Sequence, residues 1–218
     1  MIRLVCLLIG YAVGCIQTAY IVGRITKNID IREHGSGNAG ASNIQRVIGS
    51  KAGLMVFVLD VLKAIAGFTA GALLFHGGGS FFPAGLPLEP GLYAGLGVLI
   101  GHNFPFFLKF KGGKGIASTL GVMLALDWRA ALGVYLIGLA VLYATKYISL
   151  ASLTMTLIFP LLIWFRISYN AEINAEIIAI SFLMTAMAFF LHRGNIQRLL
   201  AGTERKLSFP WSKQKLNH

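Results

Sequence analysis

Residues 101–118, GHNFPFFLKFKGGKGIAS, set His102, Lys109, Lys111, Lys114 and a glycine cluster between stretches hydrophobic enough to span a membrane. The 218-residue chain is 56% hydrophobic and only 12% charged, so the placing of its charges is informative. They gather here and in two other polar islands, residues 33–46 (EHGSGNAGASNIQR) and 192–206 (HRGNIQRLLAGTERK). Glycine leaves backbone N–H groups open, and lysine ammoniums beside them complete a place for phosphate or another anion. At a membrane face, such a place suits an enzyme that joins a polar phosphate compound to an apolar one.

Outward from this stretch, the chain is apolar almost throughout. A mean hydropathy of +0.72, with apolar stretches too many and too long for one water-soluble core, predicts an all-α, polytopic transmembrane bundle forming one domain over 1–218. A net charge of +11 would suit nucleic acid. Here the basic residues flank apolar spans, so they read as orienting charges on anionic membrane lipid, and no nucleic-acid partner is expected. Cys6 and Cys15 lie in the first apolar segment without a CxxC or a nearby histidine, which argues against disulfide or metal roles. The N-terminus has a basic start but no small-residue cleavage site, so the first span is expected to stay in the protein.

A span needs about 20 apolar residues. The stretches 2–22, 52–75, 90–107, 115–127, 129–146, 149–166 and 174–191 give about seven such segments, the fourth short and glycine-flanked enough to be re-entrant. With seven spans, one side collects Arg24, Lys27, Arg32, Arg46, Lys51, Lys109, Lys111, Lys114, Lys146 and the basic residues from Arg193 onward. The other side collects Arg3, Arg129 and Arg166. The positive-inside rule then puts the N-terminus outside, the C-terminus in the cytoplasm, and all the islands on the cytoplasmic face. Residues 76–90 read as an external linker. The pairs Gly10/Gly14, Gly67/Gly71, Gly91/Gly95 and Gly97/Gly101 read as close helix packing.

In the first island, Ser36, Gly37, Asn38 and Asn43 could surround phosphate oxygens while Arg46 clamps them, or form a polar loop with an N-cap at Ser42 or Asn43. In the second, Lys109 and Lys114 could be membrane anchors, but interleaved Gly112, Gly113 and Gly115 favour an anion site. It is not a Walker A loop, since glycine follows Lys114. His102 could be a general base, a hydrogen-bond donor or a packed histidine. In the third island, His192 and Asn195 stand three apart on one helix face, with Asn195 a plausible orienter of phosphate or carbonyl. Arg193, Arg198, Arg205 and Lys206 read as contacts to lipid headgroups. Glu204 reads as a salt-bridge partner of that cluster. Asp60 and Lys63 read as a pair joining helices, and Ser149 and Ser152 as hydroxyls that either join the site or bond back to their own helix.

GSGNAGASN (35–43) with Arg46, LDVLK (59–63), GHNFPFFLKFKGGKGIAS (101–118), YISLAS (147–152) and HRGN…GTE (192–204) together resemble the acyl-phosphate:glycerol-3-phosphate acyltransferase family, the bacterial membrane enzymes called PlsY. Ser42 stands where that family more often has threonine, which keeps the hydroxyl. The resemblance implies a multi-pass plasma-membrane enzyme with a cytoplasmic active site. It would transfer a fatty acyl group from acyl phosphate to the sn-1 hydroxyl of glycerol 3-phosphate, giving lysophosphatidic acid and inorganic phosphate, the first acylation of phospholipid synthesis. No cofactor is expected. Scattered histidines and few acidic residues argue against a metal, and an already activated donor with no visible Cys or Ser–His pair argues against an acyl-enzyme. His102, His192 and Asn195 would be the catalytic group. Ser36, Gly37, Asn38, Asn43, Arg46, Lys109, Gly112, Gly113, Lys114, Gly115, Ser149 and Ser152 would bind substrate and phosphate. The proton acceptor would be a phosphate oxygen of the donor, with His102 as the rival base. The HxxxxD motif of the larger acyltransferases follows none of the histidines. An anion transporter would want polar residues along a path to both faces, which the sparse external loops do not offer, and a scaffold gives no reason for matched anion-type loops on one side.

Overall fold

The computed structural model describes residues 1–74, 88–167 and 175–207. Most of the expected 76–90 linker, Lys213, Lys215 and the side chain of Arg166 lie outside the described residues. Every regular element among the described residues is helical: α1 (Ile2–Gly14), α2 (Thr18–Lys27), a 3-10 turn (Ile31–Glu33), α3 (Ala41–Val47), α4 (Ser50–Leu74), α5 (Leu88–Asn103), a second 3-10 turn (Phe106–Leu108), α6 (Ile116–Leu126), α7 (Trp128–Thr145), α8 (Ile148–Ile167), α9 (Ala175–Leu191) and α10 (Arg193–Leu200). Phe68, Leu92, Leu99, Val122, Phe159, Ile163, Ile177 and Met184 form the core between α4, α5, α6, α8 and α9. Leu54, Val58, Leu62, Leu132, Leu136, Trp164 and Leu183 face outward and are exposed. A bundle apolar on both its inner and outer surfaces is built for hydrocarbon, not water.

Four helical stretches are long and apolar enough to cross a membrane: Ile2–Lys27, Ser50–Leu74, Glu89–Leu108 and Trp128–Thr145. The pair Ala175–Leu191 and Arg193–Leu200, bent by 61°, makes a fifth if it is one span, and Ile116–Leu126 and Ile148–Trp164 are shorter apolar helices. On length and composition, the expected seven therefore become four or five among the described residues. The expected fourth segment is shorter still, because α6 has only 11 residues, about 17 Å of helix against a hydrocarbon core of about 30 Å.

The first stretch is broken at Cys15–Gln17, between α1 and α2. A break in an apolar medium leaves carbonyls without partners, and each must be satisfied by protein. Lys63 Nζ of α4 donates to the Ile16 carbonyl at 2.7 Å. Gln17 Nε2 reaches the carbonyls of Gly14, Gly101 and His102 at 3.3, 3.3 and 3.1 Å. The last turns of α1 and α5 are thereby tied together.

Those two helices also cross closely. A Cβ at Gly10 would overlap the Ala94 carbonyl, one at Gly14 the Val98 carbonyl, one at Gly97 the Leu7 carbonyl, and one at Gly101 the Tyr11 carbonyl. Glycine on both sides lets backbone pack on backbone, which is what the GxxxG spacing predicted. Gly97→Val should therefore separate the helices, lowering the thermal midpoint in detergent by about 5 °C or more or abolishing the monodisperse species. Gly133→Ala on α7, where a Cβ meets nothing within 4 Å, should leave the midpoint unchanged or raise it slightly. Size-exclusion chromatography and thermal melting of the two variants check the contrast.

Candidate active site

The first island is a loop shaped around one buried amide. Asn43 Nδ2 donates to the carbonyls of Ile31 (3.0 Å) and His34 (2.9 Å), and its Oδ1 accepts from the Ser36 N–H at 2.8 Å. Both amide hydrogens are thus committed to the loop. Asn43 borders the cavity but holds the Ser36 backbone in place, a correction to its reading as a free phosphate donor. Asp30 accepts from the Arg32 backbone at 3.0 Å and pairs with its guanidinium at 2.6 Å, while Arg32 reaches the Leu108 carbonyl at 2.8 Å. The Arg32 hydrogen bond holds the Asp30 carboxyl below its usual range against the opposing effect of burial. Arg32, held by this ion pair just ahead of the first island, thereby ties it to the second.

In the second island the chain folds back on the end of α5. Gly112 N–H donates to the Asn103 carbonyl (3.1 Å) and Gly113 N–H to the His102 carbonyl (3.0 Å), while the Gly112 carbonyl accepts from Ala39 at 3.4 Å. These glycine amides were expected to cradle phosphate. They are instead hydrogen-bonded within the protein, because the same carbonyls that α5 leaves open must be satisfied. The backbone that borders the cavity lies just beyond. Gly115, at φ 76°, opens α6, and Gly115, Ile116 and Ala117 border the cavity with first-turn N–H groups that have no intrahelical acceptor. Lys109 is exposed, in the left-handed region, and does not border the cavity. With Lys111 and the exposed Phe106, Phe107 and Phe110, it presents the mixed aromatic and basic surface that anchors proteins at a membrane interface.

The third island is organised by Glu204. Its Oε1 accepts from Ser149 (2.8 Å) and Asn195 (2.6 Å), and its Oε2 from Arg198 (2.7 Å). Lys114 Nζ in turn donates to Asn195 Oδ1. One chain of contacts therefore runs from the second island through Asn195 to Glu204 and α8. His192 Nδ1 lies 2.8 Å from the Ala188 carbonyl, which can only accept. A neutral His192 therefore carries its proton on Nδ1 and leaves the Nε2 lone pair open. Ser152 bonds back to the Ile148 carbonyl at 2.8 Å. Inside the bundle, Asp60 accepts from Lys63 (2.8 Å) and Thr18 (2.6 Å), and Lys63 Nζ lies 3.0 Å from His102 Nδ1.

A cavity of about 770 Å³ brings the islands together. Ser36, Asn38, Asn43, Arg46, His102, Lys114, Gly115, Ser149, Ser152, His192 and Asn195 all border it. Gly37, Lys109, Gly112 and Gly113 do not. Arg193, Arg198 and Arg205, read from sequence as lipid-headgroup contacts, border it too, as does Glu204. A carboxylate set alone among cations beside a span was the signal that could have found this hub. Along one flank, Phe57, Tyr135, Leu139, Leu142 and Met155 make the wall apolar.

The cavity's charges do not balance. Arg46, Lys114, Arg193, Arg198 and Arg205 face Glu204, while Asp60 is already engaged by Lys63. Burial, and after it the neighbouring Arg198, lowers the pKa of the Lys114 ammonium. Burial and then Arg205 do the same to the Arg46 guanidinium. An anion bound among them would relieve both effects.

Fold and cavity together define a helical integral membrane protein with a cation-lined cavity opening beside an apolar wall. The family model described as glycerol-3-phosphate acyltransferase matches residues 4–202. The glycerol-3-phosphate acyltransferase of Thermoanaerobacter sp. (strain X514) is 44% identical over 92% of this chain and 93% of its own. That of Alkaliphilus metalliredigens (strain QYMF) is 42% identical over 95% and 97%. A crystal structure of PlsY, an integral membrane glycerol 3-phosphate acyltransferase, in its glycerol 3-phosphate form, superposes with a TM-score of 0.82 at 31% identity over 99% of each chain. The chain belongs to the glycerol-3-phosphate acyltransferase family, as the resemblance of its islands implied.

Burial raises the Glu204 pKa, but the hydrogen bonds from Asn195, Ser149 and Arg198 outweigh it and hold the carboxyl below its usual range. Its contribution to stability is therefore full above the ordinary carboxylate pKa and is lost as pH falls through the lowered folded-state value. Glu204→Gln should lower the thermal midpoint at neutral pH and flatten its decline in acid. Melting curves across pH 3–7 compare the two proteins.

Proposed function

We propose that the protein transfers a fatty acyl group from acyl phosphate to the sn-1 hydroxyl of glycerol 3-phosphate, giving lysophosphatidic acid and inorganic phosphate. The observation that carries this reading is the composition of the cavity that the islands share. Cations and open helix N–H groups meet the two phosphates, and the Phe57, Leu139 and Met155 wall meets a fatty chain. The PlsY structure in its lysophosphatidic acid form, which superposes with a TM-score of 0.79 over 94% of this chain, supports it.

Acyl phosphate is already activated, so no acyl-enzyme is needed. The glycerol hydroxyl oxygen attacks the acyl carbonyl carbon, the bond from that carbon to the phosphate oxygen breaks, and the hydroxyl proton passes to a phosphate oxygen of the donor. Arg46 and Lys114 grip phosphate and offset the negative charge that develops as the tetrahedral carbon forms. Ser36, Asn38 and the first turn of α6 donate hydrogen bonds to phosphate or to the developing oxyanion. His192, with its Nε2 open, and Asn195, which retains a second amide hydrogen, orient glycerol 3-phosphate.

The reading places the enzyme in the bacterial plasma membrane with the cavity on the cytoplasmic face, the N-terminus outside and the C-terminus inside. Charge segregation supports this orientation. The cavity end carries Arg46, Lys114, Arg198 and Arg205, whereas the opposite end holds Arg3 already paired with Glu176 at 2.7 Å.

Purified protein in detergent, given palmitoyl phosphate and labelled glycerol 3-phosphate without metal, CoA or carrier protein, should form labelled lysophosphatidate. Arg46→Ala and Lys114→Ala should each cut the rate about 100-fold or more. Product from palmitoyl-CoA alone would overturn the acyl donor, and no product from any donor would overturn the reaction.

A further inference from the structure

Lys63 carries one charge in the middle of an apolar bundle, and its surroundings define where each of its hydrogens goes. Nζ lies 2.7 Å from the Ile16 carbonyl, 2.8 Å from Asp60 Oδ1 and 3.0 Å from His102 Nδ1. An ammonium has three hydrogens and accepts none, so all are committed and the third must meet a lone pair on Nδ1. The Asp60 Oδ1 also faces Nδ1, but at 3.6 Å it is beyond hydrogen-bond length, whereas the ammonium is at 3.0 Å. Asp60 is itself held by Thr18 Oγ1 at 2.6 Å, and all of these side chains are buried. The imidazole of His102 is therefore protonated on Nε2. That nitrogen lies against Gly113, where a Cβ would overlap it, and it makes no hydrogen bond to another of the described residues. The ring borders the cavity beside Lys114 and Gly115.

We infer that Asp60 and Lys63 are positioning residues that fix His102 as the Nε2–H tautomer, making it a hydrogen-bond donor to a substrate oxygen in the cavity and removing it as a general base. The inference rests on the acyl-transfer reading only for the identity of that oxygen, which belongs to the acyl carbonyl or to a phosphate. To act as a base, His102 would need its lone pair at Nε2. Its proton would then sit on Nδ1, pointing at the Lys63 ammonium. The pair in α4 thus does more than join helices: it selects which of two jobs a cavity histidine can do.

The first arm of the test does not depend on the reaction. Nitrogen-15 NMR of histidine-labelled protein in detergent, with His102→Gln used to assign the signal, should show the Nε2–H tautomer in the wild type. The tautomer should shift toward Nδ1–H in Asp60→Asn/Lys63→Met, which removes both charges together and leaves neither buried unpaired. An Nδ1–H tautomer in the wild type, or no change in the double variant, overturns the inference.

The second arm is kinetic. A glutamine amide can present N–H near the place of Nε2 but cannot serve as a base. His102→Gln should retain kcat within about fivefold of wild type, while His102→Ala loses about 100-fold with KM little changed. Glutamine no better than alanine overturns the donor role. If the wild type makes no lysophosphatidate, the function reading fails and the NMR arm still decides the tautomer.

Discussion

Where α1 gives way to α2, the Ile16 carbonyl is left without a helical partner inside an apolar bundle, a situation that costs several kcal/mol in hydrocarbon unless a donor arrives. Lys63 supplies it at 2.7 Å. A buried ammonium is unstable alone, so Asp60 must sit beside it, and Thr18 from the start of α2 completes the carboxylate's shell. The same ammonium fixes His102 at the end of α5. The His102 and Asn103 carbonyls then accept the Gly113 and Gly112 N–H groups and turn the chain back toward Lys114. A break in the first helix, the charge pair in α4 and the lysine–glycine loop are consequences of one requirement, that no peptide group be left unpaired.

The opposite constraint shapes the cavity. Its cations face a single Glu204 that is already shared among Ser149, Asn195 and Arg198. Further acidic residues would have neutralised the site and stabilised the empty protein, at the expense of any anionic ligand. Glu204 instead engages Arg198 and reaches Lys114 only through Asn195. Lys114 and Arg46 are left positive and partly desolvated, and an incoming phosphate meets charges that water screens weakly. The apolar wall from α4, α7 and α8 sharpens the effect by keeping the dielectric low on one side.

Much of this was legible in the sequence because membrane proteins write their rules in composition. The apolar stretches, the GxxxG pairs and the clustering of Arg46, Lys114 and Asn195 into separated islands each follow from one-dimensional rules about length, close packing or charge. What the sequence left open depended on hydrogen-bond partners far along the chain. Gly112 and Gly113 read as open amides because glycine usually offers them, yet their partners are carbonyls at the end of a helix some ten residues earlier. Asn43 read as a ligand because asparagine in a glycine-rich loop often is one, but its acceptors lie at Ile31 and His34. Arg198 read as a headgroup contact because periodicity cannot say that α10 bends 61° from α9 and carries it to the cavity.

The lysines of the central loop diverge for a related reason. Lys109 and Lys111 stay exposed, among exposed phenylalanines, where the membrane interface can hold them. Lys114 lies one residue before the glycine that opens α6, and α6 is only 11 residues long. A full-length helix at this point would carry its first turn out to the headgroups and take Lys114 with it. The first turn of this short helix, with its open N–H groups, and the half-buried Lys114 ammonium border the same cavity as His102 and Asn195, beside the apolar wall. The helix start thus parts one lysine of a basic loop, turned to the cavity, from two neighbours that stay at the surface.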